Sequence, residues 1–167
     1  MFKSLQYARL VFHRKLPVMV LVVLFAFLPV FAGDSFYGKV TEVKGADVII
    51  VDNGKLSLEV RIIGIDVPRE GRVAEKAKEF VTNLLLGKNA RIRHESRTRS
   101  NVMIARVFTA EEDTVNQDVG VELVKAGFAR VQKGSEEQFG YKYKELSKAS
   151  TEARRARRGV WARGGGR

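Results

Sequence analysis

The chain has 167 residues, 45% of them hydrophobic, with 30 lysines and arginines against 19 acids and no cysteine. That length and apolar content suffice for one domain of ordinary size with a real core, and the missing cysteines exclude disulfides, cysteine-ligated zinc and thiol catalysis. The surplus of positive charge favours anionic partners, nucleic acid or an anionic membrane surface, without choosing between them.

The first segment reads as an address. Lys3, Arg9, Arg14 and Lys15, with no acid among them, precede the unbroken apolar run 16–32, LPVMVLVVLFAFLPVFA. A basic region, an apolar core and small residues, here Val30 and Ala32 before Gly33, are the layout of a secretory signal. The run also reaches the short end of what spans a bilayer, so a membrane anchor over residues 16–32 is the alternative. Cleavage is preferred because of the small-residue site, and either outcome puts the domain outside the cytoplasm, secreted, periplasmic or at the cell envelope. Without residues 1–32 the chain keeps 26 basic residues, the 30 less those four, against 19 acids, a net charge of +7. The basicity therefore belongs to the domain, expected over residues 33–163, with 164–167 a disordered Gly-Arg tail.

From Phe36 to Ile63 the pattern is strand-like: YGKVTEV, DVIIVD, then LSLEVRIIG after the turn Asn53-Gly54. Asn-Gly between two β-rich runs is a strong hairpin signal, because both residues tolerate positive φ. Between Val73 and Leu86 the period changes to that of a helix, with Ala74, Ala77, Phe80, Val81, Leu84 and Leu85 on one face and Gly87 at the C-cap. Two further strands are predicted over Ala90 to Glu95 and Val102 to Phe108, separated by SRTRSN. A second helix is expected from Asn116 to Lys125, turning Val119, Leu123 and Val124 inward and ending at Gly127. The stretch FARVQ reads as short and extended. A last helix, about Glu137 to Arg157, packs through Tyr141, Leu146, Ala149 and Ala153. Five strands with three helices make an α+β fold, mainly β, compatible with a closed OB-type barrel; periodicity alone leaves other α+β arrangements open.

One constellation carries more. Asp47 stands fourteen residues before Arg61 of VRIIGIDVP, Val60 to Pro68. This resembles the staphylococcal nuclease family, in which an aspartate at the second strand precedes a V-R-L-x-G-I-D-x-P-E motif. IARVF (Ile104 to Phe108), Val115-Asn116, LVKAGFARV (Leu123 to Val131) and GVW (Gly159 to Trp161) follow in the order of that family's later motifs. The resemblance implies a five-stranded OB-fold barrel with three helices and a calcium-dependent phosphodiesterase site on one face. It implies two aspartates that hold a hard cation through oxygen, a glutamate as general base on water, and two arginines that stabilise charge on the phosphate.

Carried over residue by residue, Asp47 and Asp66 match the two metal-ligand aspartates and Arg61 the first arginine. Three departures follow. The family's D-G-D-T is here Gly45-Ala46-Asp47-Val48, so a supporting carboxylate and a hydroxyl are missing and a Ca2+ site is expected to be weakened. Its Pro-Glu is here Pro68-Arg69, which replaces the base by a cation that cannot accept a proton; Glu70 substitutes only if the loop slips by one residue. The second arginine, of a Y-G-R motif, falls at Val102, with Arg97 and Arg99 in the preceding loop as candidates to reach inward. Arg106 shares a face with Val102 but lies about 13 Å further on at strand rise.

Each of these residues also has a plainer role. Asp47 and Asp66 serve as ordinary turn carboxylates, Arg61 as a strand residue paired with Glu59, and Glu70 as a solvated acid favoured near a helix start. Arg154, Arg155, Arg157 and Arg158 suit the negative end of the last helix; contact with phosphates through Arg61, Arg69, Arg97, Arg99, Arg154 and Arg155 is the functional counterpart. Trp161 reads as an anchor for the last helix rather than a base platform, and lone His13 and His94 offer no histidine-based site. The expected function is an exported nucleic-acid or phosphate-backbone binder with impaired hydrolysis. The alternatives are an active divergent Ca2+-dependent endonuclease using Glu70 and Arg99, and an envelope interaction domain that uses its charge on anionic surfaces.

Overall fold

The computed structural model describes residues 35–98, 100, 102–110, 116–134 and 140–162, apart from the side chains of Arg97, Tyr141 and Lys142. The expected address (1–32), the tail (164–167), Arg99 and Val115 lie outside the described residues.

Alternation builds the barrel. β1 (Ser35–Gly45), β2 (Val48–Asp52), β3 (Ser57–Ile62), β5 (Asn89–Arg97) and β6 (Met103–Thr109) each turn one apolar face inward: Val40 and Val43, Ile49 and Val51, Val60 and Ile62, Ala90 and Ile92, Met103, Ala105 and Val107. Successive side chains of a strand point to opposite faces, so this pattern aims one face of every strand at a common interior. A bulge at Thr41-Glu42 shifts the phase of β1, which is how Val40 and Val43 both face in. β1, β2 and β3 form an antiparallel meander, and β2 turns into β3 at Asn53-Gly54, with Gly54 at φ 82°. β5 pairs antiparallel with β6 and with β1, while β6 runs parallel to β3. The ring closes as β1-β2-β3-β6-β5. The described residues thus form the expected five-stranded OB-type barrel with three helices.

The helices cover the barrel. α1 (Arg72–Leu85) buries Ala77, Val81 and Leu85, spaced one turn apart along a single stripe. Gly87 N then donates to Val40 O at 2.9 Å, and Val40 N donates to Lys88 O at 2.9 Å, which pins the helix exit to β1. α2 (Val119–Lys125) starts three residues later than the expected Asn116. Asp118 is its N-cap, accepting from Val121 N at 3.2 Å, while Gln117 exchanges hydrogen bonds with Thr109 at the end of β6. α3 (Tyr141–Arg155) packs Leu146, Ala149 and Ala153 inward and ends two residues short of Arg157, which sits at φ 51°. Each fully buried Leu, Ile or Val adds ~1.5–3 kcal/mol over its exposed state, and Leu85, Leu123 and Val124 on α1 and α2 reach that limit. Two short strands, β4 (Ile65–Asp66) and β7 (Arg130–Val131), pair outside the barrel, and one 3-10 turn spans Gly159–Trp161.

Candidate functional site

Asp47 sits in the tight turn between β1 and β2, and its carbonyl accepts from Ile62 N at 2.8 Å. That bond ties the turn to β3. In the β2–β3 register Val48 faces Arg61, so the aspartate and the arginine are brought side by side, with Arg61 Nε 4.0 Å from Asp47 Oδ2. The contact is loose, and both groups remain partly exposed. Glu59, the alternative partner for Arg61, is instead held by Lys44 at 2.6 Å; that hydrogen bond, with Glu59 and Glu42 as nearby charges, raises the Lys44 pKa above its ordinary value.

Asp66 is held by a different device. After the turn at Gly64, β4 pairs with β7, placing Asp66 opposite Arg130 and Ile65 opposite Val131. Gln132 N donates to Gly64 O at 3.0 Å and extends the ladder. The stretch FARVQ thus serves to fix the backbone that carries Asp66. Just before β7, Phe128 meets Phe80 of α1 at 5.5 Å between ring centroids. Arg130 lies over Trp161 at 5.1 Å and Arg154 lies over it at 4.4 Å, so the indole meets two guanidinium groups.

These supports frame one open cleft of about 440 Å³. Asp47, Arg61, Asp66, Arg69 and Glu70 all line it. Two further charged residues of the lining, Glu75 and Lys78 on α1, escape sequence reasoning. The available signal was their place beside Ala74, one turn apart on the first part of the helix that follows the Pro68–Gly71 loop. No residue of β6 lines the cleft among the described residues, and Val102 lies outside it. The described lining carries three cations, Arg61, Arg69 and Lys78, against four carboxylates, Asp47, Asp66, Glu70 and Glu75. Among the described residues no three of His, Cys, Asp or Glu converge as a metal-holding group.

The family model described as "Staphylococcal nuclease homologue" matches residues 59–163. The chain belongs to the staphylococcal nuclease homologues. Two relatives, one from Escherichia coli O157:H7 and one from Escherichia coli, both named "Uncharacterized endonuclease", are 29% and 28% identical to it over 143 residues. Each alignment covers 84% of this chain and 87% of the relative. Within this family member the matched span includes Arg61, Asp66, Arg69 and Glu70, whereas Asp47 precedes it and owes its place in the cleft to the β2–β3 register.

The remaining candidates are dispersed. Arg99 and the side chain of Arg97 lie outside the described residues. Arg154 stacks on Trp161, and Arg158 donates to Lys125 O at 3.0 Å and to Glu152 at 3.2 Å. Arg155 stays exposed. His94 is half-buried, its Nε2 without a hydrogen-bond partner among the described residues. Arg106 is committed elsewhere: its Nε donates to Asp118 Oδ2 at 2.6 Å and a terminal nitrogen donates to Glu145 at 2.9 Å. Burial opposes the Arg106 charge, but the attraction and hydrogen bonds of Asp118 and then Glu145 outweigh it, and the guanidinium pKa rises above its ordinary value.

Proposed function

We propose that this nuclease-family domain holds the phosphodiester backbone of nucleic acid in the Asp47–Arg61–Asp66 cleft and hydrolyses it poorly. The observation that carries the reading is the lining itself: Arg61, Arg69 and Lys78 present positive charge beside Asp47 and Asp66, while Arg69 occupies the place where the family resemblance implies the base. An arginine orients and neutralises phosphate oxygens but accepts no proton at neutral pH. Backbone contacts of this kind fix a strand without reading its sequence, so DNA and RNA both satisfy them.

The donor chemistry suits a hard divalent cation. Asp47 and Asp66 supply carboxylate oxygens, the ligand type Ca2+ takes, and the four carboxylates against three cations of the described lining leave the cleft short of positive charge before a polyanion enters. Two aspartates are few for a cation that prefers six to eight oxygens, so these residues would hold it weakly. When bound, the ion would neutralise charge on the phosphate. Arg61 would orient the phosphate from β3, and Lys78 would add a second cation from α1.

Glu70 favours a second reading, a divergent endonuclease. It lines the same cleft one residue after Arg69 and can accept a proton from water where Arg69 cannot. Export to the cell envelope or medium, with residues 1–32 as signal or residues 16–32 as anchor, is proposed from the apolar run alone.

The test is a calcium titration of cleavage of fluorescent single-stranded DNA by the purified protein, with the Asp47→Ala/Asp66→Ala variant as control. Binding at low salt with little cleavage supports the first reading. Efficient calcium-dependent cleavage that is lost in the control and in Glu70→Gln replaces it with the second. Absence of any binding overturns both.

A further inference from the structure

The barrel wall away from the cleft carries a second arrangement of charge and rings. In the strand register Tyr37 of β1 faces Arg91 of β5, and Arg91 faces Phe108 of β6. Directly opposed residues of antiparallel strands project on the same side, so these three form one row across the outer face. The next row is Ser35, Arg93 and Arg106. Tyr37 is 61% exposed, an unusual setting for a large ring on a sheet face. Arg91 lies over the Phe108 ring at 4.6 Å from the centroid, and its Nε has no hydrogen-bond acceptor among the described residues. Stacking fixes the guanidinium in place without neutralising it.

Beside these rows runs a concavity of about 560 Å³ between β5, β6, α2 and α3. The four carboxylates of its described lining are all engaged. Arg106 holds Asp118 and Glu145, Lys125 stands 3.9 Å from Glu122, and Arg158 lies 3.2 Å from Glu152. Arg91, Arg93 and Lys148 line the same concavity with no ion pair among the described residues. The uncompensated charge of the wall is therefore positive. It lies beside an exposed ring.

We infer that this wall, built on Tyr37, Arg91 and Arg93, is a second contact surface for single-stranded nucleic acid, separate from the Asp47–Asp66 cleft. The inference rests on the reading that the domain binds nucleic acid at all. A single strand offers unpaired bases that stack on an exposed aromatic ring and phosphates that meet unpaired arginines, and OB folds accommodate about 4–16 nucleotides in this way. A duplex offers no free base face to Tyr37. A membrane surface is the poorer match, because the exposed neighbours of Tyr37 on β1, Ser35, Lys39 and Thr41, are polar and offer nothing apolar to insert. The cleft lies at the far end of β1, eight residues on from Tyr37 at Gly45, about 26 Å along the strand at ~3.3 Å per residue. A strand long enough to engage both places is gripped at two points, and a very short one at only one.

The experiment compares the full-length protein with its Tyr37→Ala/Arg93→Ala variant, which leaves the Arg91–Phe108 stack intact and so spares folding, as an unchanged thermal melt checks. Fluorescence anisotropy measures affinity for a 15-nucleotide and a 3-nucleotide oligothymidylate at two salt concentrations, with Arg61→Ala as the cleft control. The expected result is about a 10-fold or greater loss on the 15-mer, a salt slope shallower by roughly one phosphate contact, little change on the 3-mer, and recovery of most of the affinity in Tyr37→Phe/Arg93→Lys. Equal affinity of wild type and variant for the 15-mer, with Arg61→Ala weakened, overturns the second surface and leaves the cleft reading standing. No binding of the 15-mer by the wild type even at low salt overturns both. A loss confined to phosphatidylglycerol vesicles, with oligonucleotide binding unchanged, assigns the wall to membrane and overturns the inference.

Discussion

Gly127 and Gly159 meet backbone to backbone. Val160 N donates to Gly127 O at 2.8 Å, and both glycines hold positive φ, 80° and 48°. A Cβ on Gly127 would stand 2.5 Å from Arg158 O, and one on Gly159 would collide with the Gly127 carbonyl. The contact locks the Gly159–Trp161 turn beneath β7, whose partner strand β4 carries Asp66. Gly127→Ala is expected to cost about 2 kcal/mol or more, from both the left-handed φ and the clash. Denaturant unfolding measures it; a change below ~0.5 kcal/mol would show that the turn is free to move away.

The Arg106–Asp118 pair is the second structural test. Only 12% and 13% of the two side chains are exposed, and Asp118 also caps α2. Arg106→Met leaves a carboxylate shielded from water without its cation and is expected to cost about 2–3 kcal/mol, below the ~3–5 of a fully buried pair because Glu145 keeps this cluster partly wet. A double-mutant cycle with Asp118→Asn should return a coupling of at least ~1 kcal/mol. Strict additivity would show that the pair carries no energetic weight.

The barrel was readable because its strands alternate cleanly and Asn53-Gly54 announces its hairpin. α1 was readable because its apolar stripe repeats at helical spacing. The start of α2 was not, since Asn116 and Gln117 look like a first helical turn until Thr109 takes the Gln117 backbone into the end of β6. Nor was the β4–β7 ladder, because two residues on each side carry no period and pair only once the barrel is closed. At the cleft, the resemblance pointed to Asp47, Arg61 and Asp66. Glu75 and Lys78 escaped because their membership depends on the rotational phase of α1 about its own axis, which tertiary packing of Ala77, Val81 and Leu85 sets.

Among the described residues Arg61 has no ion pair besides the loose one with Asp47, so its charge is available to a phosphate. Arg61→Ala is expected to weaken oligonucleotide binding at every sequence alike and to lower the slope of log affinity against log salt by roughly 0.7–1. Titrations at three salt concentrations measure both. An unchanged slope would show that Arg61 faces no phosphate, whatever happens to overall affinity.

The family resemblance implies a base at position 69 and a second arginine at position 102, and both can be put in place. Val102 precedes β6 by one residue and shares the parity of Ile104, whose Cα lies across from Arg61 in the parallel β3–β6 ladder. An arginine at 102 therefore projects on the same side of the sheet as Arg61. Arg69→Glu returns a proton acceptor to the residue after Pro68, in a lining that already holds Asp47 and Asp66. A single electrostatic donor is worth about 10²–10³ in rate at sites of this kind, and groups that act as a unit are strongly non-additive. Arg69→Glu/Val102→Arg is accordingly expected to raise calcium-dependent cleavage of single-stranded DNA by about 10²-fold over the wild type, with each single change giving much less. The gain should vanish when Asp47→Ala is added, because the rebuilt base and arginine still require the aspartate turn. A double variant that binds DNA as before but cleaves no faster would place the defect in the Gly45–Val48 turn, where a supporting carboxylate and hydroxyl are missing, rather than in the base or the second arginine.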